Sequence, residues 1–446
     1  MNYVPHTEAE RQTMLKTIGV DRIEDLFEAV PEQYRFPTLD LPPALTEMEM
    51  MGELQAMADG NADASRYACF LGAGAYNHYI PSIVNHITLR GEFFTAYTPY
   101  QPEVSQGTLQ SIFEFQSMMS NLTGMDVCTA SHYDGATAFA EAALMAVAIT
   151  RRPKVLVSRG VHPMYREVLA TYTQFNEHLQ IVEVDVAAPI AELIDGQTAA
   201  VCIQNPNFLG QFEDVTQLGA QAHAAGALFV AAVNPISLGL FQPPSEYGAD
   251  IVVGEGQPLG VSLSFGGPYL GFFCTKRDYM RRIPGRIVGE TVDRDGKRGY
   301  VLTLKTREQD IRREKATSNI CTNQGLMALA ACVYMAAMGK NGLQKAAHLS
   351  YQKAHYAAEQ VGTLEGFKLW GRTPFFNEFV VKCPVPVRSL NQILLDDLNI
   401  IGGYDLGKDY PELENHMLIA CTETNTREEI DALAKGLMAA AAELRR

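Results

Sequence analysis

From residue 126 onward, apolar and polar positions follow a repeating order. "DVCTAS" (126–131) reads as a strand, and "GATAFAEAALMAVAI" (135–149) reads as an alanine-rich helix. The strand "KVLVS" (154–158), a helix near "MYREVLATYTQF" (164–175) and the strand "IVEVD" (181–185) come next. A helix near 189–195 precedes "AAVCIQ" (199–204), and the helix "DVTQLGAQAHAAG" (214–226) precedes "ALFVAAV" (227–233). "ADIVVG" (249–254) and "YLGFFCT" (269–275) complete the set. Runs of four to seven apolar residues between amphipathic stretches are what buried strands show when helices cover both sheet faces. Strand after helix after strand implies right-handed crossovers, so the pattern predicts an α/β fold around a mostly parallel central sheet.

The flanks differ. Residues 1–64 carry helical spacing in "TEAERQTMLKTIG" and "RIEDLFEAV", broken at Pro31 and Pro42–Pro43. They hold too little apolar material for a domain and read as an N-terminal helical arm. "AYTPYQPEVSQG" (96–107) is an ordered loop feeding the helix "TLQSIFEFQSMMSNL", with a stripe of Leu109, Ile112, Phe113, Met119 and Leu122. Residues 287–325 read as charged and irregular, and a long helix over roughly 324–360 follows. "EFVVKCP", "SLNQILLDDL", "HMLIACT" and a last helix from about 427 form a smaller α/β domain, with Thr426 and Glu429 spaced as a capping box. The expected division is 1–64, 65–325 and 326–446.

Composition narrows the function. A net charge of −15 opposes binding to phosphate backbones, so nucleic acid is not expected as a partner. The cluster Arg281, Arg282 and Arg286 is short and reads as a solvated or ion-paired loop. No apolar run approaches the ~18 residues of a membrane span, and the first residues lack a signal-peptide pattern; a cytoplasmic chain is expected. The eight cysteines include no C-x-x-C pair, and Cys202 and Cys274 sit within apolar strands as core residues. The histidines lack metal-ligand spacing, so no metal is expected.

Ligands of such sheets bind beyond the carboxyl ends of the strands. Three turns there could carry chemistry. "SHYDGATA" (131–138) opens a helix whose N–H groups suit an anion, yet Asp134 can cap them itself and would repel a phosphate. "ALFVAAVNP" (227–235) offers no carboxylate at its end, and "ADIVVGEGQPLG" (249–260) offers Gln257 and Pro258 but no lysine. No lysine lies between Lys154 and Lys276. Polar groups cluster instead in "REKATSNICTNQG" (313–325), as phosphate contacts or as turn bonds capping the next helix. Tyr97, Tyr100 and Gln101 sit on the proline-stiffened 96–107 loop, suited to ligand contact or to interface packing.

"AYTPYQPEVSQG" and "REKATSNICTNQG" resemble the signature stretches of the glycine cleavage system P-protein, glycine dehydrogenase (decarboxylating), and the likeness runs from "YRFP" (34–37) to the terminal helix. The resemblance implies a fold-type-I pyridoxal-phosphate architecture. The chain length and the missing lysine match the α, or first, subunit of the two-subunit form. By that alignment Pro258 stands near the Schiff-base lysine position and Ala231 near that of the aspartate facing the pyridine nitrogen. The resemblance then implies a catalytic β subunit that holds pyridoxal phosphate, with this chain completing the site. Thr317, Ser318 and Asn319 would face the partner's cofactor phosphate, and Tyr97, Tyr100, Gln101 and Ser105 would line the approach of glycine or of the lipoyl arm of H-protein. Two rivals are a self-sufficient enzyme using Lys276 or Lys305, and a non-enzymatic scaffold on the same fold.

Overall fold

The structure, a computed structural model, describes residues 5–316, 318–371 and 374–445, so Thr317 lies outside the described residues. The chain forms two units, Met1–Asn61 and Ala62–Arg446. In the first, the helices Glu8–Ile18 and Glu47–Asp59 each start at a capping box, Thr7 with Glu10 and Thr46 with Glu49. Leu15 is its one buried side chain among the described residues, while Leu39, Leu41, Met48 and Met57 are largely exposed.

The second unit is built on a seven-stranded sheet. Its strands are β1 (Val127–Cys128), β2 (Lys154–Ser158), β3 (Gln180–Val184), β4 (Thr198–Gln204), β5 (Leu228–Ala232), β6 (Ile251–Glu255) and β7 (Gly271–Thr275). Their order is β1-β7-β6-β5-β4-β2-β3; only the pairings of β7 with β6 and β1 are antiparallel. All seven strands stand where the apolar runs predict them. Alternate residues serve the two faces. Val201, Phe229, Val252 and Phe272 join one core with Phe115, Met119 and Tyr334. Val155, Val157, Val230, Val253 and Phe273 join another, covered by the alanine-rich helix Gly135–Thr150.

Residues 287–303 depart from the expected irregular segment. Ile287–Val292 and Arg298–Thr303 form an antiparallel hairpin. Its turn holds Gly296 at φ 81°, and the Asp293 carboxylate accepts the N–H groups of Asp295 and Lys297. The Asp-Gly signal is present in the sequence, but outward charged residues hide the alternation. The helix Gln106–Thr123 packs on this hairpin as well as on the sheet, which widens its apolar arc. Phe115, outside the expected stripe, is fully buried, while Phe113 is half-buried against the Tyr300 ring 5.3 Å away. Gln106 and Gln116 bridge to the hairpin backbone at Tyr300 and Val288.

The helix Gly325–Gly362 is kinked at Gly339. It is the one described helix long and apolar enough, by length and composition, to cross a membrane, and its Ala328, Ala331 and Tyr334 lie in the protein core. Beyond it a four-stranded antiparallel sheet (Lys368–Trp370, Glu378–Lys382, His416–Ala420, Tyr404–Asp405) packs under the helices Val387–Leu398 and Arg427–Leu444. Phe70 enters this core, and Ala68–Cys69 pair with Ile400–Ile401. The Thr426 hydroxyl accepts the Glu429 N–H at 3.2 Å and the Glu429 carboxylate accepts the Thr426 N–H at 2.7 Å. Thr426→Ala is expected to cost about 1 kcal/mol, read as a lower denaturant midpoint.

Candidate functional site

At the carboxyl ends of the strands the polar groups bond to one another. Asp134 caps the 135–150 helix, its carboxylate accepting the Thr137 N–H at 2.7 Å. Glu255, ending β6, accepts the Gly135 N–H at 3.0 Å and the Gln257 and Leu270 N–H groups at 2.9 Å. Two carboxylates of this chain thus hold the donors that a phosphate would need at the helix N-terminus. Desolvation outweighs those donors at Glu255 and pushes its carboxyl up to about 7.

The neighbouring positions are equally occupied. The Gln257 side chain accepts the Tyr76 N–H at 2.9 Å and donates to the Tyr76 and Val261 carbonyls at 2.9 and 2.7 Å. Tyr76 donates its hydroxyl to Glu378 at 2.8 Å, and Glu378 also accepts the Ala73 N–H at 2.7 Å. His162 stacks on Tyr165 at 5.1 Å, and burial lowers its pKa to about 4. Between Tyr76, His162, Tyr165, Glu255 and Pro258 a cavity of about 30 Å³ remains, room for a water or two, where ligand pockets span ~300 Å³ or more. Ala231 is fully buried in β5. Without an amine, without a carboxylate facing a pyridine nitrogen and with the anion donors taken, these residues do not fit pyridoxal phosphate.

The other candidate lysines stand elsewhere. Lys276 pairs with Asp250, which precedes β6 at the opposite, amino end of the sheet. Lys305 lies over the Tyr100 ring at 5.5 Å. Of the short basic cluster, Arg281 and Arg282 are exposed, whereas Arg286 is buried and paired with Glu308 at 3.2 Å.

The two signature stretches meet at the surface. Tyr97, Thr98 and Pro99 share with Thr322 and Asn323 the wall of a recess of about 160 Å³. Tyr97 is 77% exposed, and Asn319 and Gln101 are exposed as well. Tyr100 accepts an Arg286 N–H at 3.0 Å, and Ser105 is half-buried just before the 106–123 helix; neither residue lines the recess. Ser318 is turned inward and donates its hydroxyl to Glu141 at 2.8 Å. The polar cluster does not cap the long helix with a side chain. Asn323 Nδ2 and the Gln324 N–H instead donate to Ser131 Oγ at 2.9 and 3.0 Å, and the Cys321 N–H donates to the Tyr133 hydroxyl at 3.0 Å. Sequence reasoning missed Tyr76, Glu255, Glu378 and Glu141. Glu141, 3% exposed, is the one charge in the alanine-rich helix, and that was a legible sign.

The fold of this chain has counterparts in known proteins. A profile of the family "Glycine cleavage system P-protein" matches residues 1–437. A probable glycine dehydrogenase (decarboxylating) subunit 1 of Thermomicrobium roseum is 53% identical over 99% of this chain and 100% of its own length. The protein of the same description from Anoxybacillus flavithermus is 53% identical over 98% of both chains. A crystal structure of glycine decarboxylase (P-protein) of the glycine cleavage system, in inhibitor-bound form, superposes with a TM-score of 0.93 at 44% identity, covering 99% of this chain and 100% of that one. A glutamate decarboxylase of Lactobacillus brevis shares the fold alone, with a TM-score of 0.70 at 13% identity over 94% of this chain and 98% of its own. The architecture is that of fold-type-I pyridoxal-phosphate enzymes, and the chain belongs to the glycine cleavage system P-protein family.

Proposed function

We propose that this chain is the cofactor-free subunit of glycine decarboxylase. A catalytic β subunit holds pyridoxal phosphate covalently, and this chain completes its site. The pair decarboxylates glycine and passes the aminomethyl group to the lipoyl arm of H-protein. When bound to the partner, the cofactor supplies the electron sink for loss of carbon dioxide. The observation that carries the reading is the contrast within this chain. Its own strand-end site is closed by Glu255, Gln257 and Tyr76, while the two family signature stretches lie together at the surface. In this reading exposed Asn319 faces the partner's cofactor phosphate, while Ser318, bonded inward to Glu141, steadies the segment that carries it. Tyr97, Tyr100, Gln101 and Ser105 line the approach of glycine or the lipoyl arm, the first with its ring in solvent.

Reconstitution tests this. The chain alone, incubated with pyridoxal phosphate, is expected to show no visible absorbance that borohydride fixes to a peptide. Glycine-dependent carbon dioxide exchange is expected only when this chain, the catalytic subunit and lipoylated H-protein are combined. Equal exchange by the catalytic subunit without this chain would refute the completing role. A scaffold of no enzymatic consequence predicts that equality.

A further inference from the structure

The turn that opens the 135–150 helix is the natural seat for a phosphate in this fold, and here its side chains point to another task. Ser131 and Tyr133 precede the Asp134 cap, and Glu141 lies further along the same helix. All three bond to residues 318–324, a stretch without helix or strand. Its backbone donors have no ladder to join. The Cys321 N–H goes to Tyr133 Oη at 3.0 Å, the Gln324 N–H goes to Ser131 Oγ at 3.0 Å, and the Ile320 N–H goes to Ser318 Oγ at 3.0 Å. Two side-chain bonds complete the set, Asn323 Nδ2 to Ser131 at 2.9 Å and Ser318 Oγ to Glu141 at 2.8 Å. Asn323 sits at φ 52°, a left-handed conformation that its amide bond to Ser131 helps to hold. Buried Ile320 anchors the middle of the segment, leaving Asn319 exposed beside it.

Glu141 is the informative member. No cation is within ion-pair distance of it among the described residues, and burial pushes its carboxyl up to about 7. A buried acid in an alanine helix is costly, and its hydrogen-bonded partner here is the 318–319 segment.

We infer that the disused cofactor site has become a clamp: Ser131, Tyr133 and Glu141 are positioning residues that fix segment 318–324 in the shape this chain presents to its partner's active site. The inference rests on the completing-subunit reading and adds the residues that set the geometry.

Hydrogen exchange on this chain, by itself and paired, tests it. Tyr133→Phe removes one hydroxyl and keeps the ring. It is expected to speed amide exchange of the peptide spanning 318–324 about tenfold, with the rest of the sheet unchanged. In the pair, Tyr133→Phe and Glu141→Ala are expected to raise the KM for glycine or weaken the partner's hold on its cofactor several-fold, with the melting temperature retained. Glu141→Gln, which still accepts from Ser318, is expected to restore both. Unchanged exchange of 318–324 in Tyr133→Phe would overturn the clamp. So would a fall in melting temperature with kinetic constants untouched, which marks a purely structural role. If Asn319→Ala impairs the pair while Tyr133→Phe does not, the clamp fails and the completing role stands. If the catalytic subunit is equally active without this chain, the completing role itself fails.

Discussion

Arg286→Ala is expected to destabilise the protein by about 3–5 kcal/mol, the cost of stranding a buried carboxylate. Arg286 stands at the start of the 287–303 hairpin with its side chain 3% exposed, and its partner Glu308 is 7% exposed. The guanidinium donates to Glu308 at 3.2 Å and to the Tyr100 hydroxyl at 3.0 Å, and lies 5.0 Å from the Tyr100 ring. One cation thus holds the 96–107 loop, the hairpin and the 305–316 segment together. Removing it takes from the buried Glu308 carboxylate its hydrogen-bonded guanidinium and frees Tyr100 from its anchor. The loss is read as a lower denaturant midpoint and faster proteolysis within 96–107. Replacing both partners at once, Arg286→Met with Glu308→Leu, is expected to recover most of the stability, because no charge is then left buried. A loss below about 1 kcal/mol for Arg286→Ala would mean that Glu308 reaches water, and the buried pair would be refuted.

Glu378→Gln is expected to change how stability depends on pH. Glu378 is 6% exposed, and burial pushes its carboxyl from an ordinary 4.5 up to about 7 despite donors from Ala73 and Tyr76. Between those values the folded chain keeps a proton that the unfolded chain has lost. The wild type is therefore most stable, relative to the variant, below about pH 4.5 and loses ground as pH rises through 7. The swing is about 3 kcal/mol, and it levels off once both states are ionised. Paired denaturation series at several pH values give the wild-type minus variant difference directly. A difference that stays flat across that range would show the carboxylate already ionised in the fold. Because Glu378 and Tyr76 help to close the strand-end site, the same experiment probes how firmly that closure is held.

The closed strand-end site and the surface where the 96–107 and 313–325 stretches meet were legible in the sequence to different degrees. The absent lysine, the alanines at 231–232 and the Asp134 cap are read directly from residue types, because each is a missing or present chemical group. That Glu255 and Gln257 fill the space is not legible, since a glutamate and a glutamine in a glycine-rich turn look like solvated loop residues until the chain folds over them. The inward turn of Ser318 was likewise hidden. Its hydroxyl could face a partner's phosphate or a buried acid, and only the packing of the 135–150 helix beneath it supplies the acid.

The chain's pattern alone determined the α/β class, the strands of the seven-stranded sheet and the missing cofactor chemistry, because burial on both sheet faces demands apolar runs and catalysis demands specific groups. Tertiary structure decided the hairpin, the buried Arg286–Glu308 pair, the filled cavity and the meeting of the 96–107 and 313–325 stretches. The hairpin is local, but its alternation is masked by outward charged residues. The other features depend on contacts between separate segments, where each partner's identity matters only once the backbone has brought the other within bonding distance.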